Sequence, residues 1–198
     1  MTHQLYLFVF FLVFFLIVFV IRSYLLWKNT GINPITFDRG DDAHSYIGKL
    51  FKFISFFQFA IVAVYAIKNE WYLYYLPFWY LEHAILQIVG WVLLHGSLIW
   101  IFIAQLQMAD SWRIGIDQEN ETQLITKGLF SVSRNPIFLG ILMADAGLFL
   151  VIPNAFTLLI LVWVFTTIQI QVRLEEKYLD QTHGENYTQY RNQVRRWI

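Results

Sequence analysis

Residues 5–27 form an almost unbroken apolar run of 23 residues, interrupted only by Arg22 and Ser23 near its end. The hydrocarbon core of a bilayer is about 30 Å thick and a helix rises about 1.5 Å per residue, so a crossing takes about 20 residues. Inside that layer no water satisfies the backbone, and such a run must close its own hydrogen bonds as a helix. A cleaved export signal would place basic residues before a shorter run and small residues at its end. Here the basic residues Arg22 and Lys28 come at and just after the end of the run instead, so it is expected to remain as a span.

The same logic places four further spans, at residues 50–67, 81–107, 136–152 and 154–172. Between them lie a turn-rich charged loop at 28–49, a polar loop at 108–122, and an aromatic stretch at 68–80. That stretch carries Trp71, Tyr72, Tyr74, Tyr75, Trp79 and Tyr80, and reads as an interfacial belt. Charged residues make up 14% of the chain, against about 25% in soluble domains, which points to the membrane. The expected fold class is an all-α integral membrane protein of five transmembrane helices. It ends in a C-terminal helical hairpin and a cytosolic amphipathic tail running from Arg173 to Arg195, Arg196 and Trp197. A three-span region over 1–107 and a second region over 108–198 would form one structural domain. Net charge is zero, against the basic footprint of nucleic-acid binding. Cysteine is absent, which excludes disulfides, thiolate nucleophiles, iron–sulfur clusters and Cys-based zinc sites.

Lys and Arg collect on the cytoplasmic side of membrane proteins. With five spans and the N-terminus outside, Arg22, Lys28, Arg39, Lys49, Lys52, Arg113, Lys127, Arg134, Arg173, Lys177, Arg191, Arg195 and Arg196 fall inside. Only Lys68 falls outside. The multi-pass chain is therefore expected to expose its C-terminal polar segments to the cytosol.

Two of those segments flank the last apolar stretch, which is about thirty residues long and suits two tilted crossings joined at Pro153-Asn154. The first is Gly128-Leu-Phe-Ser-Val-Ser-Arg-Asn-Pro-Ile-Phe-Leu-Gly140. The second is Arg173-Leu-Glu-Glu, followed by Gly184-Glu-Asn-Tyr187. A hairpin would bring both to one membrane face as halves of one site. Pro136 suits the first turn of a helix, where its missing donor costs nothing. The free N–H groups and positive dipole end of that turn favour a carboxylate. Glu175 and Glu176, at the far end of the following span, could receive an amino group or ribose hydroxyls.

These blocks closely resemble the isoprenylcysteine carboxyl methyltransferase family and its bacterial relatives, part of a wider superfamily with the phospholipid methyltransferases. The family pattern is a Gly–aromatic–Arg-His-Pro–x–Tyr–x–Gly block, then Glu-Glu, then Phe-Gly–x–x–Tyr. The resemblance covers residues 108–198, and makes that region the catalytic one. It implies an S-adenosylmethionine site in which Thr122, Gln123, Leu124 and Ile125 line the cofactor through backbone groups. Phe130 would pack on it, Asn135, Pro136, Ile137 and Phe138 would cradle it, and Glu175 would hold its polar end. Arg134, Arg173 and Glu176 would be the catalytic residues. Asn135 stands where His is usual, and Phe130 and Phe138 stand where Tyr is common, so two hydroxyls are lost. Gln171 occupies a position that is Arg in the eukaryotic enzymes and tied there to substrate.

Each of these residues also has a plainer reading. Arg134, Arg173, Lys177 and Arg195 could be membrane-interface anchors, and Glu175 and Glu176 a solvated helix face. His83 and His95 lie twelve residues apart with no ligand-spaced partner, as satisfied bundle histidines rather than metal ligands, and no metal is expected. Asp145, in the middle of a span, is either paired, with Gln105 or His95 for example, or part of a substrate channel. The expected function is S-adenosylmethionine-dependent methyl transfer to a membrane-embedded lipid-like, prenylated or otherwise apolar acceptor, a carboxylate by preference, amid membrane lipids. The alternatives are an NADPH-dependent membrane reductase of the sterol-reductase type and a non-catalytic membrane protein that keeps the fold. Against the reductase, the loop before Arg134 lacks the basic cluster that a 2′-phosphate requires.

Overall fold

The computed structural model describes residues 3–37, 41–117, 120 and 122–198, and no strand occurs among them. Arg39 and the acidic part of the 108–122 loop, Glu119 and Glu121, lie outside the described residues. Six helices carry the chain: α1 (His3–Thr30), α2 (Ala43–Ile67), α3 (Ala84–Met108), α4 (Pro136–Val151), α5 (Ala155–His183) and α6 (Glu185–Gln193). By length and composition α1, α2, α3 and α5 can cross a membrane. The expected fourth span is equally apolar but folds as the 16-residue helix α4. Two boundaries move outward for local reasons. Helix α2 starts seven residues before the apolar run, because the Asp42 carboxylate caps the Ser45 N–H at 2.8 Å. Helix α5 continues through Arg173 to His183, since nothing between Val172 and Gly184 breaks it.

Helix α1 contains one wide π turn at Leu16–Ile21. Such turns disturb the regular ladder of backbone bonds, and here the Val18 carbonyl accepts from the buried Gln105 Nε2 on α3 at 2.9 Å. The Arg22 guanidinium caps the end of α3 by donating to the carbonyls of Gln105 and Ala109.

Helices α3 and α4 run antiparallel and approach through small residues. A methyl on Gly147 would sit 2.8 Å from the Gly90 carbonyl oxygen, and one on Gly90 would sit 2.8 Å from that of Gly147. Further along, a methyl on Gly140 would meet the Ile101 side chain at 2.4 Å, and Trp100 Nε1 donates to the Pro136 carbonyl at 2.9 Å. In lipid, association rests on van der Waals contact and interhelical hydrogen bonds, so backbone proximity is the adhesive. Gly147→Ala should therefore lower the stability of the detergent-solubilised protein by about 1–3 kcal/mol in a denaturant titration, because backbone must move. Gly96→Ala, with open space at its Cβ, should cost nothing.

Residues 152–154 link α4 to α5, and Asn154 starts α5 with a capping box closed by Thr157. The aromatic segment is fastened over this link: Phe78 N–H donates to the Pro153 carbonyl at 2.8 Å, and Tyr75 Oη donates to the Ile61 carbonyl at 3.1 Å. Trp71, Tyr74, Trp79 and Tyr80 stay exposed, as do many large apolar side chains on the helices, among them Phe56, Ile85, Ile88 and Val92. That much exposed apolar surface fits a hydrocarbon surrounding, not water.

Candidate functional site

The site end begins where α3 stops. Gly128, at φ +66°, turns the chain, and the Leu129 N–H that follows it donates to Gln107 Oε1 at 2.8 Å. The short 3₁₀ turn Gly128–Ser131 then leads through buried Ser133 and Asn135 into α4. From the other side come the last turns of α5, then α6, which Gly184 separates from it at φ +51°. Beyond α6, residues 194–198 run back over the first block. Arg134 N–H donates to the Arg195 carbonyl at 3.0 Å. Asn135 Nδ2 donates to the Arg196 carbonyl at 3.1 Å, and Ser133 Oγ to the same oxygen at 3.3 Å. Tyr190 Oη donates to the Phe130 carbonyl at 2.6 Å, and Trp197 packs against the apolar core.

The two polar blocks meet at Glu176. Arg134 Nη2 lies 3.0 Å from its Oε1, while Arg196 approaches both oxygens, Nε to Oε1 at 3.0 Å and Nη2 to Oε2 at 2.6 Å. The Arg134 and Glu176 side chains are 9% and 12% exposed, so both charges are largely out of solvent and need each other. With both oxygens bonded to guanidinium donors, Glu176 fixes two arginines. Pairing with Glu176 also raises the affinity of the Arg196 guanidinium for its proton. Burial, and then Glu176 itself, push the Tyr187 phenol up to about 12, so that hydroxyl is a donor at neutral pH.

Glu175 is the freer acid. Gln171 Nε2 donates to its Oε1 at 2.8 Å, and the Gln171 Oε1 is buried without a partner among the described residues. At the start of α4, Asn135 holds the cap position but does not cap, because its amide is turned to Arg196 and its N–H to Ser133 Oγ at 3.1 Å. That leaves the amides of Ile137 and Phe138, behind Pro136, without a side-chain cap. The end thus offers uncapped N–H groups for an anion and a carboxylate with an amide oxygen for a cation. This donor set fits the amino-acid end of a sulfonium cofactor.

The other expected site residues have different surroundings. Arg173 is exposed, and its guanidinium folds back on its own helix to the Gln169 carbonyl and, at 3.0 Å, to Gln169 Oε1. Thr122, Gln123, Leu124 and Ile125 form an extended loop, whose Gln123 N–H reaches Ser111 Oγ at 3.2 Å. Tyr178 Oη on α5 donates to the Asp117 carbonyl at 2.6 Å and so ties that loop region to the same end. Asp145 is paired, but with Gln58 Nε2 at 2.8 Å on α2; Gln105 and His95 are both engaged elsewhere. His95 bonds Tyr6 Oη and the Trp91 carbonyl, both at 2.8 Å, as a satisfied bundle histidine. No metal-binding cluster of His, Asp or Glu occurs among the described residues. The sequence alone shows Arg196 only as part of a basic tail.

Fold and site together define an integral membrane protein of apolar helices, with a charged cluster at one end. The model of the phospholipid methyltransferase family matches residues 85–186, just over half of the chain, and the chain belongs to that family. It is also similar to the protein-S-isoprenylcysteine O-methyltransferase of Saccharomyces cerevisiae, 32% identical over 78 residues. Those residues cover 39% of this chain and 33% of the yeast protein, so the chain matches about a third of its relative's length. No solved structure matches this chain.

Proposed function

We propose that this protein is a multi-pass membrane methyltransferase that moves a methyl group from S-adenosylmethionine to a membrane-embedded apolar acceptor, a carboxylate of the S-isoprenylcysteine kind. The observation that carries the reading is the Arg134–Glu176 contact. It joins two polar blocks, both inside the region matched to the family, with Glu175 and the uncapped start of α4 beside it. In this reading α4 is a fifth, short crossing, about 24 Å long, which a locally thinned bilayer accommodates. Helices α4 and α5 then act as a hairpin, and the segment after it as a cytosolic tail. The basic residues counted as inside, against Lys68 alone outside, support a reading with the site in the cytosol and the N-terminus outside. Helix α3 works with the 108–198 region, since its Gly90 contact with Gly147 holds α4 in place.

S-adenosylmethionine, when bound, supplies an electrophilic methyl group on a sulfonium. Glu175 and Gln171 would hold its amino-acid nitrogen, and the Ile137 and Phe138 amides its carboxylate. Phe130 would offer a flat apolar face, and residues 122–125 would line it through backbone. The Arg134–Glu176–Arg196 cluster keeps both blocks in register, so that an acceptor is held in line with the methyl, where positioning contributes most. A carboxylate acceptor needs no strong base, which suits a site whose Glu176 is fully engaged. Transfer from a cation to an anion removes both charges, so the poorly hydrated end of the bundle favours the transition state over the reactants.

Titration calorimetry of the purified protein should give heat with S-adenosylmethionine and none with NADPH. Heat with NADPH alone would establish a reductase, and silence with both a non-catalytic protein.

A further inference from the structure

Beside Glu176 two buried hydrogen-bond donors have no partner among the described residues: the Tyr187 hydroxyl and Arg134 Nε. Tyr187 is 1% exposed and the Arg134 side chain 9%. Folded proteins leave few such groups unmatched. Tyr187 sits on α6 one turn before Arg191, whose carbonyl accepts from Arg134 Nη1 at 3.2 Å, and its ring packs edge-on against Tyr190 at 6.2 Å. Its phenol feels Glu176, Arg134, Arg191 and Arg196, which places it at this cluster. Glu176 is not the missing acceptor: its three bonds all come from guanidinium donors, and the Tyr187 hydroxyl makes none to it. Arg134 and Arg196 share the one carboxylate of Glu176.

We propose that the Tyr187 hydroxyl and Arg134 Nε–H are the donors of a carboxylate-binding site, one for each carboxylate oxygen. Resting on the methyl-transfer reading, two ligands could bring that carboxylate: the acceptor itself, or the amino-acid end of the cofactor in place of its contact with the Ile137 and Phe138 amides. Charge-assisted bonds of this type are the stronger class. The spacing Gly184-Glu-Asn-Tyr187 marks Tyr187 without saying what it does; the unpartnered hydroxyl supplies that.

The test uses full-length protein in nanodiscs, wild type and Tyr187→Phe, with two ligand pairs measured by calorimetry. S-adenosylhomocysteine is set against 5′-methylthioadenosine, which lacks the amino-acid carboxylate. N-acetyl-S-farnesylcysteine is set against its amide. Tyr187→Phe should weaken one carboxylate-bearing ligand by about tenfold or more and leave its carboxylate-free counterpart unchanged. The pair that moves identifies the source. Equal change in both members of each pair, or no change in any, would mean the hydroxyl meets a trapped water only, and would overturn the site while leaving methyl transfer intact. Failure of the wild type to bind any of the four would remove the site and the methyl-transfer reading together. The ligand-free variant should melt at or above the wild-type temperature, since an unpartnered hydroxyl contributes nothing to the fold. Marked destabilisation would show an internal partner and overturn the proposal.

Discussion

Glu176→Ala should be the most destabilising single substitution at the polar end, at about 3 kcal/mol in a denaturant titration in mild detergent. Removing one member of a buried ion pair costs about 3–5 kcal/mol, because the partner charge stays buried and uncompensated. Arg134 is that partner, 9% exposed, whereas Arg196 at 34% can turn to solvent, which places the cost at the low end of the range. Arg196→Ala should accordingly be milder, at about 1 kcal/mol, and Glu176→Ala with Arg134→Ala should cost less than the sum of the two. Loss of Glu176 also frees residues 194–198 from one of their anchors, so methyl transfer should fall with stability. A Glu176→Ala protein as stable as wild type would mean that the three charges do not meet.

Glu175→Ala should separate chemistry from folding. Among the described residues its side chain bonds Gln171 one turn back on the same helix, so the substitution should lower stability by less than about 1 kcal/mol. Methyl transfer should nevertheless drop by at least about a hundredfold, the loss of a charge-assisted contact that also positions the methyl group. Glu175→Gln should recover part of the binding but not the charge. Calorimetry with S-adenosylmethionine distinguishes the two effects: heat should vanish for Glu175→Ala while the melting profile holds. A fully active Glu175→Ala protein would take Glu175 out of the site.

The helical, membrane-borne character of the chain was legible because it depends on local composition: long apolar runs leave the backbone no other partner. The family was legible because several spaced residues around Arg134-Asn135-Pro136 and Glu175-Glu176 agree together. What escaped depends on contacts far apart in the chain. Gln58 and Asp145 are 87 residues apart and share no pattern, so the carboxylate's partner could not be named. The short α4 was hidden by an apolar run that continues through Val151 and Ile152 to the turn. The role of Arg196 was invisible because a basic C-terminal tail reads the same whether it lies on lipid or folds back onto Glu176. Departures such as Asn135 for His became interpretable once its amide was seen bonded to the Arg196 carbonyl.

The central claim is that the joined polar blocks transfer a methyl group from S-adenosylmethionine. Membranes containing the protein, incubated with donor labelled at the methyl carbon and analysed by mass spectrometry of the lipid-soluble fraction, test it most directly. The account predicts labelled methyl in an apolar product with wild-type protein and none above background with Glu175→Ala. Label absent with both proteins, or equal in both, would contradict it.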